Sequence, residues 1–331
     1  MRQPIKFLPY FKTTIWGGDE ISRFKGISLN CNDIGESWEL SAVPGCESIV
    51  ADGEDCGMTL NNLVEKYKDE LVGRNVYERF GNNFPLLVKF IDAKDDLSLQ
   101  VHPDDRLARE RHDSFGKTEM WYILNSKENA KIHTGLTRQI DAEEYEKRVR
   151  DRTLMEVVAS YDTTPGDLFF LPAGRLHAIG TGNFLVEIQQ SSNITYRVDD
   201  YNRRDASGNL RELHTELAKD AIDYRYYPDY KSSSQRIDEA TEKLVKCDYF
   251  DVNKITVDGS RSIRNTEDSF MGLVCIGGNG KLKVDGISTP VRQGETLLLP
   301  AHVDEFDVEG NLSLLTVVIP AMQSGNPQSD R

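Results

Sequence analysis

Ser98-Leu-Gln-Val-His102 reads as a strand, and strand side chains alternate between faces. Ser98, Gln100 and His102 therefore share one face, while Leu97, Leu99 and Val101 share the other. An imidazole and an amide on one face of an apolar-backed strand suit either cation binding or a hydrogen-bonded patch on an exposed strand. Farther on, Gly116-Lys-Thr-Glu-Met-Trp-Tyr122 places Lys117 and Glu119 on a common face where the chain enters an apolar strand. A carboxylate in that position must be paired, with Lys117 for example, or ligate a cation. Adding His177, from the stretch GDLFFLPAGRLH, completes a set of two imidazoles, a carboxylate and an amide oxygen. This mixed nitrogen and oxygen set suits zinc and also accepts manganese, cobalt, nickel or iron. No sulfur ligand is implied, and a position left open for water or substrate would make such a site catalytic.

A second concentration of polar groups runs from Glu187 to Arg204. Glu187 shares a strand face with Gln189, and Thr195, Arg197 and Asp199 share a face of the next strand. Arg197, Arg203 and Arg204 gather positive charge in an otherwise acidic chain. Guanidinium groups suit phosphate oxygens or a developing enediolate. The same arginines also suit a solvated ladder of ion pairs with Asp199, Asp200 and Asp205. The other four histidines, His112, His133, His214 and His302, are expected in surface or core roles.

The elements that must position these groups are mostly short strands. FPLLVKFIDA (84–93), LSLQVH (97–102), EMWYIL (119–124), DLFFLP (167–172), NFLVEIQQ (183–190) and ITYRVDD (194–200) all carry strand signals between Gly, Pro, Asn and Asp punctuation. Helical spacing is confined to a few segments. Leu60, Leu63, Val64, Tyr67 and Leu71 form one stripe ahead of Gly73, Asp141 and Glu144 stand at capping-box spacing, and 214–224 predicts a further short helix. Pro228 and the run KSSSQ (231–235) mark a linker, after which 245–320 returns to strands and Gly-rich turns. The expected domains are thus 1–230 and 240–322, with 323–331 a disordered tail.

The phrase Gly166-Asp-Leu-Phe-Phe-Leu-Pro-Ala returns at Gly294 as GETLLLPA, but Glu305 stands where the first copy has His177. The phrase resembles the second conserved motif of the cupins, double-sheet jelly rolls whose interior often holds a metal. The fold expected is mainly β: two cupin-like jelly-roll barrels, with a few short helices inserted in or flanking the first. The second barrel is expected to be degenerate, its interior filled by side chains such as Leu297, Leu299 and Val317. Asp304, Glu305 and Asp307 should then lie on a solvated strand edge. A formal charge of −14 over 331 residues argues against nucleic acid or an anionic membrane as partner. The five cysteines show no metal or disulfide spacing, and with no apolar leader at residues 1–18 they are expected to be reduced thiols in a cytoplasmic protein.

Together the phrases WGG (16–18), GESWEL (35–40), FPLLVKFIDA, LSLQVHPDD, GKTEMWYIL, GDLFFLPAGRLHAIGTG and EIQQSSNITYRVDDYNR resemble the type I mannose-6-phosphate isomerases, in their short bacterial form. They span most of residues 1–225. The resemblance implies interconversion of mannose 6-phosphate and fructose 6-phosphate through a cis-enediolate, in a monomer or weak dimer. It implies one zinc per chain, or another divalent ion, on Gln100, His102, Glu119 and His177. It implies Arg197, Glu187 and Lys117 as catalytic residues, and Ser98, Lys117 and Arg203 as contacts to the phosphorylated hexose. A metal cupin of other chemistry, such as an oxygenase, and a non-catalytic sugar-phosphate sensor are the alternative readings of these residues.

Overall fold

The computed structural model describes residues 3–204 and 208–321; the expected disordered tail and Asp205 lie outside them. The chain is mainly β and forms two compact units. One comprises residues 9–48 and 86–233, the other 1–8, 49–85 and 234–331. Residues 5–8 and 49–85, expected with the first domain, thus belong with the C-terminal strands. Backbone pairing is the reason: Ile5–Leu8 is hydrogen-bonded to Thr296–Leu299, Ile5 opposite Leu298. No helix among the described residues is long and apolar enough to cross a membrane.

The unit formed by 9–48 and 86–233 holds two antiparallel sheets of seven and five strands. A core cluster of Ile91, Trp121, Ile123 and Leu185 from the first sheet and Ile132 and Ile179 from the second packs their faces together. The other face of the five-stranded sheet supplies Leu99, Val101, Ala178 and Tyr196 to a second cluster. There they meet Leu107, Tyr145 and Ala218 of the helices Asp105–His112, Ala142–Asp151 and Thr215–Ala221. The alternation read along 98–102 has this cause: Leu99 and Val101 are needed under the helices, so Ser98, Gln100 and His102 turn inward between the sheets. Leu97, expected on the helix side with Leu99 and Val101, packs inward instead, because it precedes the strand Leu99–Val101. Helix Ala142–Asp151 starts where its spacing predicts, the Asp141 side chain accepting from the Glu144 amide at 2.8 Å.

The second unit is built on one nine-stranded sheet whose strands Asp251–Arg264, Met271–Val284 and Glu305–Val318 run fourteen residues each. Its core includes Phe306, Val308, Leu297 and Leu299, and Val317 is fully buried as well. Asp304, Glu305 and Asp307 are exposed. Asp307 is not on an edge, being paired with Ser262 on one side and Lys283 on the other, whereas Glu305 is paired only with Arg264 and Asp304 precedes the strand. In neither unit do the strands close into a ring. The hydrogen-bonded strands form open paths, so the sheets meet through side chains rather than through a closed ladder as a barrel would require. The stripe 60–71 is also broken, into Leu60–Tyr67 and Asp69–Val72, with Lys68 at φ 48° between them.

Both copies of the repeated phrase serve the same turn. Gly166 and Gly294 sit at φ 95° and 82°, left-handed values that cost a side-chain-bearing residue roughly 1–2 kcal/mol. Each leads into a short buried strand, Leu168–Leu171 or Thr296–Leu299. The histidine nearest the second copy, His302, bonds through Nδ1 to the carbonyl of Glu70 at 2.7 Å. His302→Ala is therefore expected to cost about 1 kcal/mol of stability, the worth of one such bond. Metal content should stay at its original level, as thermal melts and elemental analysis would show.

Candidate active site

The inward faces of the two sheets of residues 9–48 and 86–233 oppose two rows of polar residues. On the five-stranded sheet, Gln100 stands directly opposite Arg197 on one neighbouring strand and opposite His177 on the other. On the seven-stranded sheet, Glu187 pairs with Trp121 and Lys89, Lys89 pairs with Trp38, and Glu119 lies opposite Gln189. His102 follows the strand Leu99–Val101 and completes the inward set.

His102, Glu119 and His177 are buried together, with one nitrogen or oxygen of each within 4.8 Å of the others. The Nε2 atoms of the two imidazoles lie 3.1 Å apart, with Glu119 Oε2 3.5 Å from that of His102 and Oε1 3.3 Å from that of His177. Each Nδ1 faces a backbone carbonyl, His102 that of Ile194 at 2.9 Å and His177 that of Arg175 at 2.8 Å. Those carbonyls require Nδ1 to carry the proton, leaving both Nε2 lone pairs aimed at one point. The Gln100 amide reaches the same point, 3.3 Å from His177 Nε2. Both Glu119 oxygens are buried without a hydrogen bond, although Lys117 Nζ lies 2.6 Å from one of them. Lys117 meets one carboxylate oxygen and the His102 Nε2 from one side, while the His177 Nε2 lone pair and the second Glu119 oxygen converge with no donor between them among the described residues. The donor set therefore fits a divalent metal.

The protonation of these groups follows their burial. Burial, and then the Lys117 charge, hold His102 well below the usual imidazole range and His177 at about 3, so both are neutral near pH 7. Burial and the charge of Glu187 push Glu119 up to about 7, and a bound cation would reverse that shift. For Glu187 burial is outweighed by Lys117 and Lys89, which bring it down to about 2. Its two oxygens accept from Lys89 Nζ at 2.8 Å and from the Trp121 indole at 2.9 Å.

A cleft of about 470 Å³ opens beside this centre, lined by Ser98, Gln100, Lys117, Glu187 and Arg197 among others. Arg197 donates from Nη1 to the carbonyl of Glu212 at 2.8 Å, while its buried Nε has no partner among the described residues. Burial and the neighbouring Arg211 push its pKa down, so an anion in the cleft would be welcome there. Arg203, expected in the cleft, is not among its lining residues; it is bonded to Asp200 and to the carbonyl of Asp96. Arg204 likewise points elsewhere, to the carbonyl of Gly208 at 2.6 Å.

Four charged lining residues escaped the sequence reading: Lys12, Glu36, Lys89 and Arg211. Lys89 could have been found, since a lysine inside the apolar run LLVKFI has to be matched by a buried acid. That acid is Glu187 on the next strand, with Glu36 at 3.4 Å on the other side. Lys12 and Arg211 carry no comparable signal, as both lie in segments of ordinary polar composition.

Two sequence profiles match the chain. "Phosphomannose isomerase type I, catalytic domain" covers residues 5–129, and "Mannose-6-phosphate isomerase, cupin domain" covers 240–319. The mannose-6-phosphate isomerase ManA of Bacillus subtilis is 36% identical over 314 residues, spanning 93% of this chain and 96% of its own. The chain belongs to the type I phosphomannose isomerase family. Another member of the family, the mannose-6-phosphate isomerase of Streptococcus mutans, is 32% identical over 322 residues, or 95% of this chain and 98% of its own. The crystal structure of the mannose 6-phosphate isomerase from Bacillus subtilis superposes with a TM-score of 0.87 at 35% identity. It covers 96% of this chain and 99% of that one.

Proposed function

We propose that this chain interconverts mannose 6-phosphate and fructose 6-phosphate through a cis-enediolate, using a divalent metal, zinc in the first instance, on Gln100, His102, Glu119 and His177. The observation that carries this is the buried convergence of the Glu119 carboxylate and two Nε2 lone pairs beside a cleft lined by Gln100, Lys117 and Arg197. When bound, the metal supplies Lewis-acid polarisation of the sugar oxygens. Arg197 places a fixed positive charge beside the developing enediolate, where a preorganised donor is worth most. Ser98 contacts the sugar from the cleft wall. Glu187, with both oxygens taken by Lys89 and Trp121, keeps Lys89 charged and in place. Lys117 Nζ, 3.0 Å from His102 Nε2 and 2.6 Å from Glu119, is the group that moves the proton between the two carbons. Operation in the cytoplasm as a monomer or weak dimer belongs to the same proposal.

A coupled assay for fructose 6-phosphate on metal-loaded protein tests the reaction; absence of turnover refutes it. Lys117→Ala is expected to lower kcat by about 10²–10⁴-fold, the range of a positioned acid or base. KM should change far less, with metal content retained. A large rise in KM at constant kcat would instead make Lys117 a binding group.

A further inference from the structure

The cleft is charge-balanced at one end and not at the other. Near Trp38, Lys12 faces Glu36 at 3.2 Å, and Lys89 faces Glu36 at 3.4 Å and Glu187 at 2.8 Å. Every cation there has its own carboxylate. At the other end Arg197 and Arg211 line the cleft with Arg203 close by, and among the described residues Asp200 is the one carboxylate in salt-bridge contact with any of the three. Among the described residues this end thus carries three guanidiniums and one salt-bridged carboxylate, a local excess of positive charge. A phosphate monoester, which carries roughly −1.5 to −2 near pH 7, is the kind of group such an excess suits.

The three arginines are not equally placed to meet it. Arg203 gives Nη1 to the carbonyl of Asp96, Nε to the carbonyl of Asp200 at 3.3 Å and Nη2 to the Asp200 carboxylate. All its nitrogens are committed, and it stands off the cleft wall. Arg211 is clasped along one edge, with Nε 2.7 Å from one Asp200 oxygen and Nη2 on the other. A guanidinium held in this way has its plane fixed and its remaining edge available, so a ligand need not order it on binding. Its side chain is 23% exposed, enough to be reached from the cleft.

We propose that Arg211, oriented by Asp200, reads the phosphate of the substrate and so sets the preference for a phosphorylated hexose. This rests on the functional reading above, in which a hexose phosphate enters the cleft. Asp200 acts as a positioning residue, and the metal end is left to the sugar oxygens.

The test compares Arg211→Gln, Arg211→Lys and Lys12→Gln in the metal-loaded protein. For mannose 6-phosphate, Arg211→Gln is expected to raise KM by about 10–100-fold, the loss of one charge-assisted contact to phosphate, with kcat falling much less. Arg211→Lys keeps the charge and a bond to Asp200 but loses the fork, and should fall between wild type and Arg211→Gln. Lys12→Gln, at the balanced end, should shift KM less than about twofold, as expected for a partly exposed pair. Calorimetric titration with inorganic phosphate gives a readout that does not depend on turnover. Affinity should drop by a similar factor in Arg211→Gln and hold in Lys12→Gln. If the wild type failed to isomerise mannose 6-phosphate, the functional reading would fall while the titration still located the anion. Equal phosphate affinity in wild type and Arg211→Gln, or the larger effect appearing in Lys12→Gln, would overturn the assignment. A fall in kcat with unchanged KM in both Arg211 variants would do the same, since it would mark a role in scaffolding.

Discussion

His177→Ala is expected to leave a folded protein that holds less than a tenth of the original metal and has lost about 10³-fold or more of its isomerase activity. The size follows from the several kcal/mol of charge stabilisation that a bound divalent ion contributes, at about 1.4 kcal/mol per tenfold in rate. His177 supplies one of only two imidazole lone pairs at the centre, and its Nδ1 bond to Arg175 shows that the ring is already aimed without help from the metal. Removing it leaves His102 and Glu119 as an incomplete set. Chelation should produce the same loss in the wild type and zinc should reverse it, whereas zinc should not rescue the variant. Elemental analysis beside the coupled assay decides the matter: full activity in protein shown to be metal-free would falsify the assignment of the centre.

Arg197→Lys should separate chemistry from metal binding. The lysine keeps one charge but concentrates its donors on a single nitrogen, so it cannot reproduce the planar fork that holds the Glu212 carbonyl through Nη1 and spreads its other donors beside the cleft. Loss of a single preorganised donor to a developing oxyanion typically costs about 10²–10³-fold in kcat, and that is the fall expected here. Metal content should stay within error of the wild type, because Arg197 meets the centre only through its strand neighbour Gln100. An unchanged kcat would return this arginine to the scaffold.

What could be read from the chain depended on how local the cause was. The alternation of Gln100 and His102 against Leu99 and Val101 was legible because a strand's period is fixed by its backbone; Leu97 lies before the strand Leu99–Val101 and turns inward with the cleft instead. The Asp141 cap was legible because its partner is three residues away. Arg203 was placed by resemblance, yet its side chain is drawn to Asp96 and Asp200, partners that only the folded loop brings near. Arg211 was invisible for the converse reason, since nothing in its own segment reports Asp200 eleven residues earlier. The closed barrels did not appear, because strand signals give the number and phase of strands but not which edges meet. The helix break at Lys68 was equally hidden in a stripe whose apolar spacing runs on through Leu71.

The pairing of Ile5 with Leu298 bears on how the protein is made. The strand Ile5–Leu8 meets the two-residue strand Ile49–Val50 early, but its other partner, Thr296–Leu299, only after about 250 further residues have emerged. At about 5–20 residues per second the interval between residues 5 and 298 is roughly 15–60 s. Throughout it Phe7 has only Val50 opposite it, and Ile5 lacks the neighbour it pairs with in the finished fold. By contrast, residues 86–199 supply most strands of the two sheets that hold His102, Glu119 and His177, and these can pair as soon as they are out. Synthesis order thus favours the catalytic unit folding first, with residues 5–8 the last stitch drawn into a sheet that the end of the chain completes.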